Sequence, residues 1–221
     1  MKKNKERVLF EDEYLAIAAK NIGEDSQIFF KEIFKEKKYS QAVNRLDKPV
    51  SGLVIIAFSE NIHTKINKLF QNKKVEKEYW AICKKNEAYG LNIKQFTEDY
   101  LSFNHKIQKG FCGKTGNSKK ASLYWEVTGM GENYNFLRVN PVTGRTHQIR
   151  IQLSNLGMPI KGDIKYGFNR TEKSGGIRLH AYSLKFIHPI TNRKLEYSAL
   201  PPFRDKLWEA CIEACTKKEE F

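Results

Sequence analysis

Three groups of residues in this 221-residue sequence carry side chains that could take part in chemistry. A carboxylate stands beside an arginine in Arg45-Leu46-Asp47, a tyrosine lies in the basic segment around Tyr79, and a Gly-Arg-Thr-His run precedes Arg150. Each group also has an ordinary structural interpretation, because Asp before Lys-Pro is common turn chemistry and tyrosine packs well in strands. Taken singly, none of the three identifies a reaction.

The elements that would hold the first two groups can be predicted from their flanking residues. The polar segment 44–52 runs directly into the apolar, β-branched segment 53–58, which predicts a buried strand with Asp47 at its mouth. The segment 73–85 predicts another strand, and this strand carries Tyr79.

The third group lies at the start of a predicted helix over residues 146–157, with Thr146 as N-cap and Gly157 at its end. Helical spacing divides this segment into two sides. The buried stripe is predicted to contain Ile149, Leu153 and Leu156, and the other side His147, Arg150 and Ser154.

The rest of the chain predicts alternating strands and helices without a domain boundary or an internal repeat. Further strands are predicted at 8–10, 14–19, 122–130, 134–141, 178–189 and 193–199. Helices are predicted at 26–38, at 60–70 after the N-cap Ser59, and at 201–215, where proline opens the helix. We therefore expect one mixed α+β domain over residues 1–221.

The segment 109–120 is predicted to be the most loop-like part of the chain. Its Gly-Lys-Thr sequence does not form a phosphate-binding loop, because Gln108 stands where that motif requires glycine. A basic loop that touches an RNA backbone and a merely solvated insertion both remain open.

Composition limits the classes of function. The chain has 39 basic and 25 acidic side chains, a net charge of +14, which favours a polyanionic partner such as nucleic acid, although basic faces also keep proteins soluble. The four cysteines show neither zinc-ligand nor disulfide spacing, and Cys211 and Cys215 are predicted to lie in the core beside Phe203, Leu207 and Ile212. No signal peptide or membrane-spanning segment is predicted, so we expect a soluble cytoplasmic protein with no membrane association.

Taken together, four ordered segments resemble the RluA-type family of RNA pseudouridine synthases over residues 8–204. NRLDKPVSGLVIIAF is similar to the family's arginine-leucine-aspartate segment and KEYWAI to its lysine-x-tyrosine segment. NPVTGRTHQIRIQLSNLGMPIKGDIKYG is similar to its long third motif, and RLHAYSLKFIHP to the strand that typically follows.

The resemblance implies an α+β fold, a mixed, largely antiparallel sheet with flanking helices and a central RNA-binding cleft. It implies isomerisation of uridine to pseudouridine in tRNA or rRNA without a cofactor. A monomer without a bound metal is the default expectation. Asp47 would be the catalytic carboxylate, acting either on the base or at the sugar. Arg150 would pair with it and Tyr79 would stack on the uracil. RNA-binding positions would be Arg45, Lys77, Arg145, His147 and Ile149.

The sequence departs from the family at several positions. Asn44 replaces a frequent histidine, Val50 a usual threonine, and KNIGEDSQIFF a lysine-proline loop. Few residues precede the first predicted strand, so we expect a stand-alone catalytic domain without the N-terminal RNA-binding module. A degenerate RNA-binding relative is the second hypothesis. A hydrolase is the third, but it would need a second carboxylate, and Asp163 is interpreted as structural.

Overall fold

A computed structural model describes residues 6–217, which divide into two compact units. The first unit contains the residues up to Lys77 together with His180–Pro202. The second contains Glu78–Leu179 and the residues from Phe203 onward. Each unit combines a largely antiparallel sheet with helices, so the predicted fold class is confirmed. The single domain over residues 1–221 stays a prediction.

The described chain contains eleven strands and four α-helices. The strands are β1 Val8–Glu11, β2 Leu15–Lys20, β3 Gln41–Ala42, β4 Ser51–Ala57, β5 Glu76–Lys84, β6 Gln95–Asn104, β7 Lys109–Cys112, β8 Lys119–Met130, β9 Tyr134–Pro141, β10 Leu179–Ile187 and β11 Lys194–Ser198. The helices are α1 Ser26–Ile33, α2 Glu60–Gln71, α3 Gln148–Asn155 and α4 Lys206–Thr216.

The sheet of the first unit has the order β1-β2-β4-β10, with β3 paired to β4 and β11 to β10. All of these pairs are antiparallel except β4 with β10. Every residue of β4 is buried, which explains its unbroken apolar run. The core of this unit consists of Leu15, Ile17, Leu53, Ile55, Ala57, Ile62, Ile66, Val75, Leu184, Phe186 and Leu195.

Gly52 allows the parallel contact at the start of β4. It pairs with Ala181 of β10 and has φ of 125°, a backbone conformation that side chains rarely adopt. A Cβ at position 52 would lie 2.3 Å from the carbonyl oxygen of Ala181. Only glycine allows this close approach between β4 and β10.

The sheet of the second unit is antiparallel throughout, in the order β5-β9-β8-β6-β7. Helix α3 packs on one face, where Ile151 joins Leu101 and Ala121 in a buried cluster. Helix α4 packs on the opposite face, where the Arg138 guanidinium donates to the Cys215 carbonyl at 2.6 Å. The sheet of the second unit therefore has α3 on one face and α4 on the other.

Several predicted boundaries and environments were wrong. Helix α1 ends at Ile33 instead of residue 38, and its N-cap is Asp25, whose carboxylate accepts from two backbone amides. Helix α4 begins after the N-cap Asp205 and not at the prolines. Phe203 is 49% exposed, whereas Cys211 and Cys215 are buried as predicted.

The region after β5 differs most from its prediction. Residues 95–104 form β6, although no strand was predicted there, and the predicted loop 109–120 begins with β7 and ends in β8. Helix α3 is buried on all sides from Gln148 to Leu153, so it has no solvated face there. Among the described residues, no helix is long and apolar enough to cross a membrane.

Candidate active site

Asp47 lies in the turn before β4, and the backbone on both sides of it is held in place. The Ser26 hydroxyl accepts from the Leu46 amide at 3.2 Å and donates to the Leu46 carbonyl at 3.3 Å. On the other side, the Lys48 carbonyl accepts from the Gly23 amide at 2.7 Å. The Asp47 carbonyl itself accepts from the Val50 amide at 2.9 Å. These bonds fix the main chain while Asp47 remains partly exposed.

Asn44 attaches the start of this turn to β4. Its amide nitrogen donates to the Leu53 carbonyl at 3.1 Å, and its amide oxygen accepts from the Ile55 backbone amide at 2.7 Å. An amide side chain supplies both a donor and an acceptor, so it pairs with the strand like an additional peptide group. The departure from histidine at this position is therefore compatible with a fixed turn.

Lys20, the last residue of β2, is a buried cation close to the same turn. Its ammonium donates to the carbonyls of Asn21 and Glu24, both at 2.9 Å, and of Lys48 at 3.3 Å. Burial lowers the pKa of Lys20 to about 8, and the negative charges of Glu24, Asp47 and Asp25 act in the opposite direction. A protonated Lys20 therefore places a buried positive charge beside the turn that carries Asp47.

His180 fixes the first residue of β4 from the neighbouring strand. The imidazole Nε2 lies 2.7 Å from the Ala199 carbonyl, which can only accept, so Nε2 carries the proton. Nδ1 then accepts from the Ser51 hydroxyl at 2.8 Å. Burial lowers the pKa of His180 to about 4, which keeps the ring neutral and in this tautomer near neutral pH.

Arg150, in the second unit, forms a buried bidentate pair with Asp163. The Nε atom donates to Oδ2 at 2.6 Å and Nη2 donates to Oδ1 at 2.9 Å. Arg150 is 5% exposed and Asp163 is 2% exposed, so neither charge is strongly screened by water. The interpretation of Asp163 as structural fits this geometry, since its carboxylate sets the orientation of the guanidinium plane.

Tyr166 joins the three residues that were predicted to share one side of α3. Its ring lies 4.9 Å from the Arg150 Cζ atom, its hydroxyl lies 2.7 Å from His147 Nδ1, and its carbonyl accepts from the Ser154 hydroxyl at 2.6 Å. The predicted grouping of His147, Arg150 and Ser154 is confirmed. On that side of the helix Arg150 is buried, whereas His147 and Ser154 are partly exposed beside Tyr166.

The segment that carries Asp163 is fixed by a close approach and by a network of charges. A Cβ on Gly162 would lie 2.7 Å from the Glu172 side chain, and the φ of Gly162 is 88°. Glu172 pairs with Lys161 and, at 2.6 Å, with Arg178. Arg178 also pairs with Asp205 at 2.6 Å. Asp163 is held through its own backbone as well, because its amide donates to the Ile160 carbonyl at 2.9 Å.

The start of α3 is held by Gln148, whose buried side-chain amide forms hydrogen bonds to the preceding loop and to β8. It donates to the Ser122 carbonyl at 3.0 Å and accepts from the Thr143 hydroxyl at 2.6 Å and the Arg145 amide at 3.0 Å. The residue at the N-cap position is His147, not Thr146 as predicted, and its φ of 55° is uncommon for a residue with a side chain. Such backbone strain is concentrated at functional sites.

The remaining predicted site residues lie in varied surroundings. Arg45 is exposed in the same turn as Asp47, and Tyr79 is a partly buried residue of β5 opposite Val139. Arg145 is exposed and donates to the Lys120 carbonyl at 3.0 Å, whereas Ile149 is 7% exposed. Lys77 lies 5.6 Å from the Phe70 ring, and burial lowers its pKa to about 8.

The structure thus brings Asp47 and Arg45 together in the first unit, and Arg150 and His147 together in the second. The pairing of Arg150 with Asp47 stays a prediction. Residues 6–217 contain no group of three or more His, Cys, Asp or Glu side chains that could hold a metal ion.

Sequence reasoning missed the residues that position the turn, namely Lys20, Ser26 and Asn44, and the buried Gln148. A lysine at the end of an apolar strand looks like the start of a solvated turn, and Ser26 looks like a helix cap. Their partners are backbone groups distant in sequence, for which a single sequence contains no signal. Gln148 does lie in the predicted helix next to Ile149 of its buried stripe, but nothing in the sequence indicates the partners of its side chain.

Comparison with known proteins identifies relatives in sequence and in fold. A family described as RNA pseudouridylate synthase matches residues 25–155. The "Ribosomal large subunit pseudouridine synthase C" of Buchnera aphidicola subsp. Schizaphis graminum is 30% identical over 213 residues, which cover 87% of this chain and 66% of that protein. The "Ribosomal large subunit pseudouridine synthase D" of Haemophilus influenzae is 32% identical over 173 residues, which cover 72% and 52%.

Two solved structures share the fold at low sequence identity. "Human RNA Pseudouridylate Synthase Domain Containing 4" has a TM-score of 0.73 and 20% identity, covering 96% of this chain and 94% of that one. "Human RNA Pseudouridylate Synthase Domain Containing 1" has a TM-score of 0.69 and 20% identity, covering 92% and 86%. The chain spans about half to two thirds of the length of the curated relatives named above. The matched residues 25–155 are more than half of the sequence, and the chain belongs to the RNA pseudouridylate synthase family.

Proposed function

We propose that this protein isomerises specific uridines of RNA to pseudouridine, with Asp47 as the catalytic carboxylate. The observation that carries the proposal is the turn around Asp47, where both neighbouring residues are held through their backbones and the carboxylate stays partly exposed. A fixed, accessible carboxylate can meet a nucleotide without reorganisation of the chain. The match to the family over 25–155 includes Asp47, Tyr79 and Arg150.

The chemistry requires an ionised carboxylate at position 47. It acts either by adding covalently to the nucleotide or by promoting the departure of uracil at the sugar. The buried ammonium of Lys20 supplies a positive charge near the turn within the same unit, and we assign Arg150 the role of pairing with the carboxylate. Asp163 holds the guanidinium plane of Arg150 in a fixed orientation.

The other residues of the site act on the RNA. Tyr79 stacks on the uracil and is a candidate base for the carbon 5 proton in the last step. Arg45, exposed on the catalytic turn, fills the gap that the everted nucleotide leaves in the RNA stack. Arg145 and His147 contact the RNA and Ile149 lines the base pocket. Lys77 supplies a positive charge that weakens above about pH 8.

The substrate that we propose is ribosomal RNA of the large subunit. Two relatives are named for that RNA, and the net charge of +14 suits a polyanion. The protein then works as a monomer in the cytoplasm without a cofactor. Transfer RNA is the alternative substrate, and mapping of modified positions distinguishes the two.

The test is pseudouridine mapping in total RNA from cells that carry the wild-type gene, no gene, or the Asp47→Asn variant. We expect at least one ribosomal pseudouridine to disappear in both altered strains, while the purified variant still binds RNA, since phosphate contacts supply most of the affinity. The matched control is Glu36→Gln, which removes one exposed negative charge from the same unit. Normal modification by Asp47→Asn would refute the mechanism, and an unchanged pseudouridine map in the deletion strain would refute the activity.

Arg45→Ala provides a second test of the site. Loss of the stacking guanidinium should lower the rate of modification about 5- to 100-fold, the range expected for one stacking contact with a base. Because Arg45 is exposed, the unfolding transition should not change. An unfolded Arg45→Ala protein would show that this arginine has a structural role instead.

A further inference from the structure

Four aromatic side chains are exposed on strands β6, β7 and β8 of the second unit. Phe96 and Tyr100 of β6 are 53% and 41% exposed, Phe111 of β7 is 44% exposed, and Tyr124 of β8 is 41% exposed. Aromatic rings dominate the cores and interfaces of proteins, so several exposed rings on one sheet need an explanation. We call these four residues the aromatic face.

Strand register places all four rings on one side of the sheet. Phe96 pairs directly with Tyr124, and their ring centroids are 4.9 Å apart. Tyr100 lies four residues further along β6, on the same side because side chains alternate. Phe111 lies opposite Ser102, which is two residues beyond Tyr100 and again on the same side. The aromatic face therefore runs diagonally across three strands to the edge strand β7.

No helix of the second unit covers this part of the sheet among the described residues. Helix α3 lies on the other side, where Leu101 and Ala121 pack against Ile151. Helix α4 shares the side of the aromatic face but contacts the other half, around Gly129 and Arg138. The rings remain exposed because no α-helix reaches β6 and β7 on that side.

Positive charges lie directly over the rings. The Lys94 ammonium is 5.1 Å from the centre of the Tyr124 ring, Lys114 is 5.5 Å from Tyr100, and Lys109 is 6.0 Å from Phe111. These distances fall within the range of cation–π attraction.

Glu98, on the same side between Phe96 and Tyr100, is paired with Lys120 at 2.7 Å. The net charge of the surface is therefore positive, and a partner with apolar surfaces and negative charge would complement it.

We infer that the aromatic face binds a single-stranded segment of the RNA substrate, with bases stacked on the rings and phosphates beside the lysines. This inference rests on the proposed function. Aromatic rings interleaved with basic residues are the usual means of binding single strands without sequence preference. A protein partner would satisfy the rings but would require acidic groups opposite three separate lysines, so RNA accounts for both features at once.

The dimensions of the aromatic face suit a short strand. Phe96 and Tyr100 are separated by about 13 Å along β6, at the usual rise per strand residue. Tyr100 and Phe111 are diagonal neighbours on adjacent strands, at about 7–8 Å. The surface therefore accommodates about four nucleotides, the lower end of known single-strand sites. It lies on the opposite side of the sheet from Tyr79, so the bound segment is a flank of the target and not the target nucleotide.

The inference gives a role to the basic segment 109–120. Lys109 and Lys114 from this segment lie over rings of the aromatic face, and Lys120 neutralises Glu98. The strand β7, which was not predicted from the sequence, brings the first part of this segment onto the sheet. The segment is then a component of the RNA surface and not a solvated insertion.

The test measures binding of the full-length protein to a labelled oligouridylate of about 12 nucleotides, a length within the known site sizes. We expect Phe96→Ala and Tyr100→Leu each to weaken binding about 5- to 100-fold, the effect of losing one stacking ring. Tyr100→Leu keeps an apolar side chain, so it distinguishes stacking from general apolar contact. Replacing Lys94 and Lys114 with glutamine should lower the slope of log affinity against log salt by about 0.7 for each lysine.

The matched control is Ile187→Ala, which removes a 48% exposed apolar side chain from a strand of the first unit. It should bind like the wild type. Wild-type affinity in Phe96→Ala and Tyr100→Leu would overturn the inference. So would self-association of the wild-type protein that these two variants abolish, because the aromatic face would then be an interface between two copies.

The outcome can be separated from that of the proposed function. Asp47→Asn should retain full affinity for the oligouridylate, since Asp47 belongs to the reacting site. If the protein forms no pseudouridine but the ring variants still lose affinity, the aromatic face stands as an RNA surface and only the proposed activity fails. If pseudouridine forms normally and the ring variants bind RNA like the wild type, the proposed activity holds and only the RNA-binding role of the aromatic face is wrong.

Discussion

The turn around Asp47 and the helix that carries Arg150 are positioned by different kinds of contact. The turn is held through its backbone, by Ser26 and Asn44 side chains that bond to peptide groups. Arg150 is held through its own guanidinium, by a buried carboxylate that contacts two of its nitrogens. The first arrangement fixes the main chain and leaves the Asp47 side chain partly exposed, whereas the second fixes the guanidinium of Arg150 itself.

The difference has an energetic consequence. Each neutral hydrogen bond to the turn contributes on the order of 1 kcal/mol, so the turn is stabilised by several small and separate contributions. The Arg150 pair concentrates its contribution in one contact, and loss of a single partner leaves an uncompensated buried charge. We therefore expect a single substitution in the Arg150 pair to lower the free energy of unfolding strongly. Each single substitution around the turn should lower it by a smaller amount.

The largest effect is expected for Asp163→Asn, which removes the negative charge opposite Arg150 with little change of shape. The free energy of unfolding should fall by about 3–5 kcal/mol, because Arg150 stays buried without its carboxylate. Urea unfolding of the wild-type and variant proteins measures this difference.

Glu126→Gln is the matched control, because Glu126 pairs with Arg138 at 2.8 Å in a more exposed position of the same unit. This substitution should cost about 1 kcal/mol or less. Equal destabilisation by Asp163→Asn and Glu126→Gln would show that the buried Arg150 pair contributes no more to stability than a more exposed ion pair. The proposed difference between the Arg150 pair and the turn around Asp47 would then be wrong.

A smaller effect is expected for Asn44→Ala, which removes both side-chain bonds from the turn to β4. The Leu53 carbonyl and the Ile55 amide lose a partner, which should cost about 1–3 kcal/mol of unfolding free energy. The rate of modification should fall more than the affinity for RNA, since the change loosens the position of Asp47.

Asn155→Ala, at the exposed end of α3, is the control and should be nearly neutral. If Asn44→Ala has the stability and the rate of the wild type, the turn does not depend on this side chain.

The local surroundings of the candidate site residues were easier to predict from the sequence than the long-range contacts that hold them in place. The position of Asp47 at the mouth of a buried strand, the strand around Tyr79 and the grouping of Arg150 with His147 were all predicted and are confirmed. These features follow from local periodicity, which a single sequence displays.

Strand β6 gave no such signal, because its sheet face towards α3 mixes Thr97 and Asp99 with apolar residues. Those polar groups are satisfied by Trp125 and Gln152, which are distant in sequence. The contact of Lys20 with the turn around Asp47 was equally hidden, because its acceptors include a carbonyl 28 residues away. Long-range pairing of polar groups is the part of the structure that periodicity does not encode.

The smallest effect is expected from the charge of Lys20, and it should appear as a dependence on pH. With a pKa of about 8, the ammonium loses its proton as the pH rises through that value, and its attraction to Asp47 disappears. The wild-type rate of modification should therefore decrease through about pH 8. At neutral pH, Lys20→Met should be about five-fold slower than the wild type, the effect of one modest charge pair of about 1 kcal/mol.

The stability of the fold should respond to pH with the opposite sign. The folded-state pKa of Lys20 lies below the ordinary value of 10.5, so the unfolded chain binds more protons between about pH 8 and 10.5. Through this group, the free energy of unfolding rises with pH over that window, and Lys20→Met should show a shallower rise. If the rate ratio of wild type to Lys20→Met stays constant from pH 7 to 9.5, within this titration range, the lysine acts only through its backbone contacts. If this rate ratio falls towards one as the pH rises, the rate effect of Lys20 is due to its charge. The turn is then supported by one electrostatic contact in addition to its hydrogen bonds.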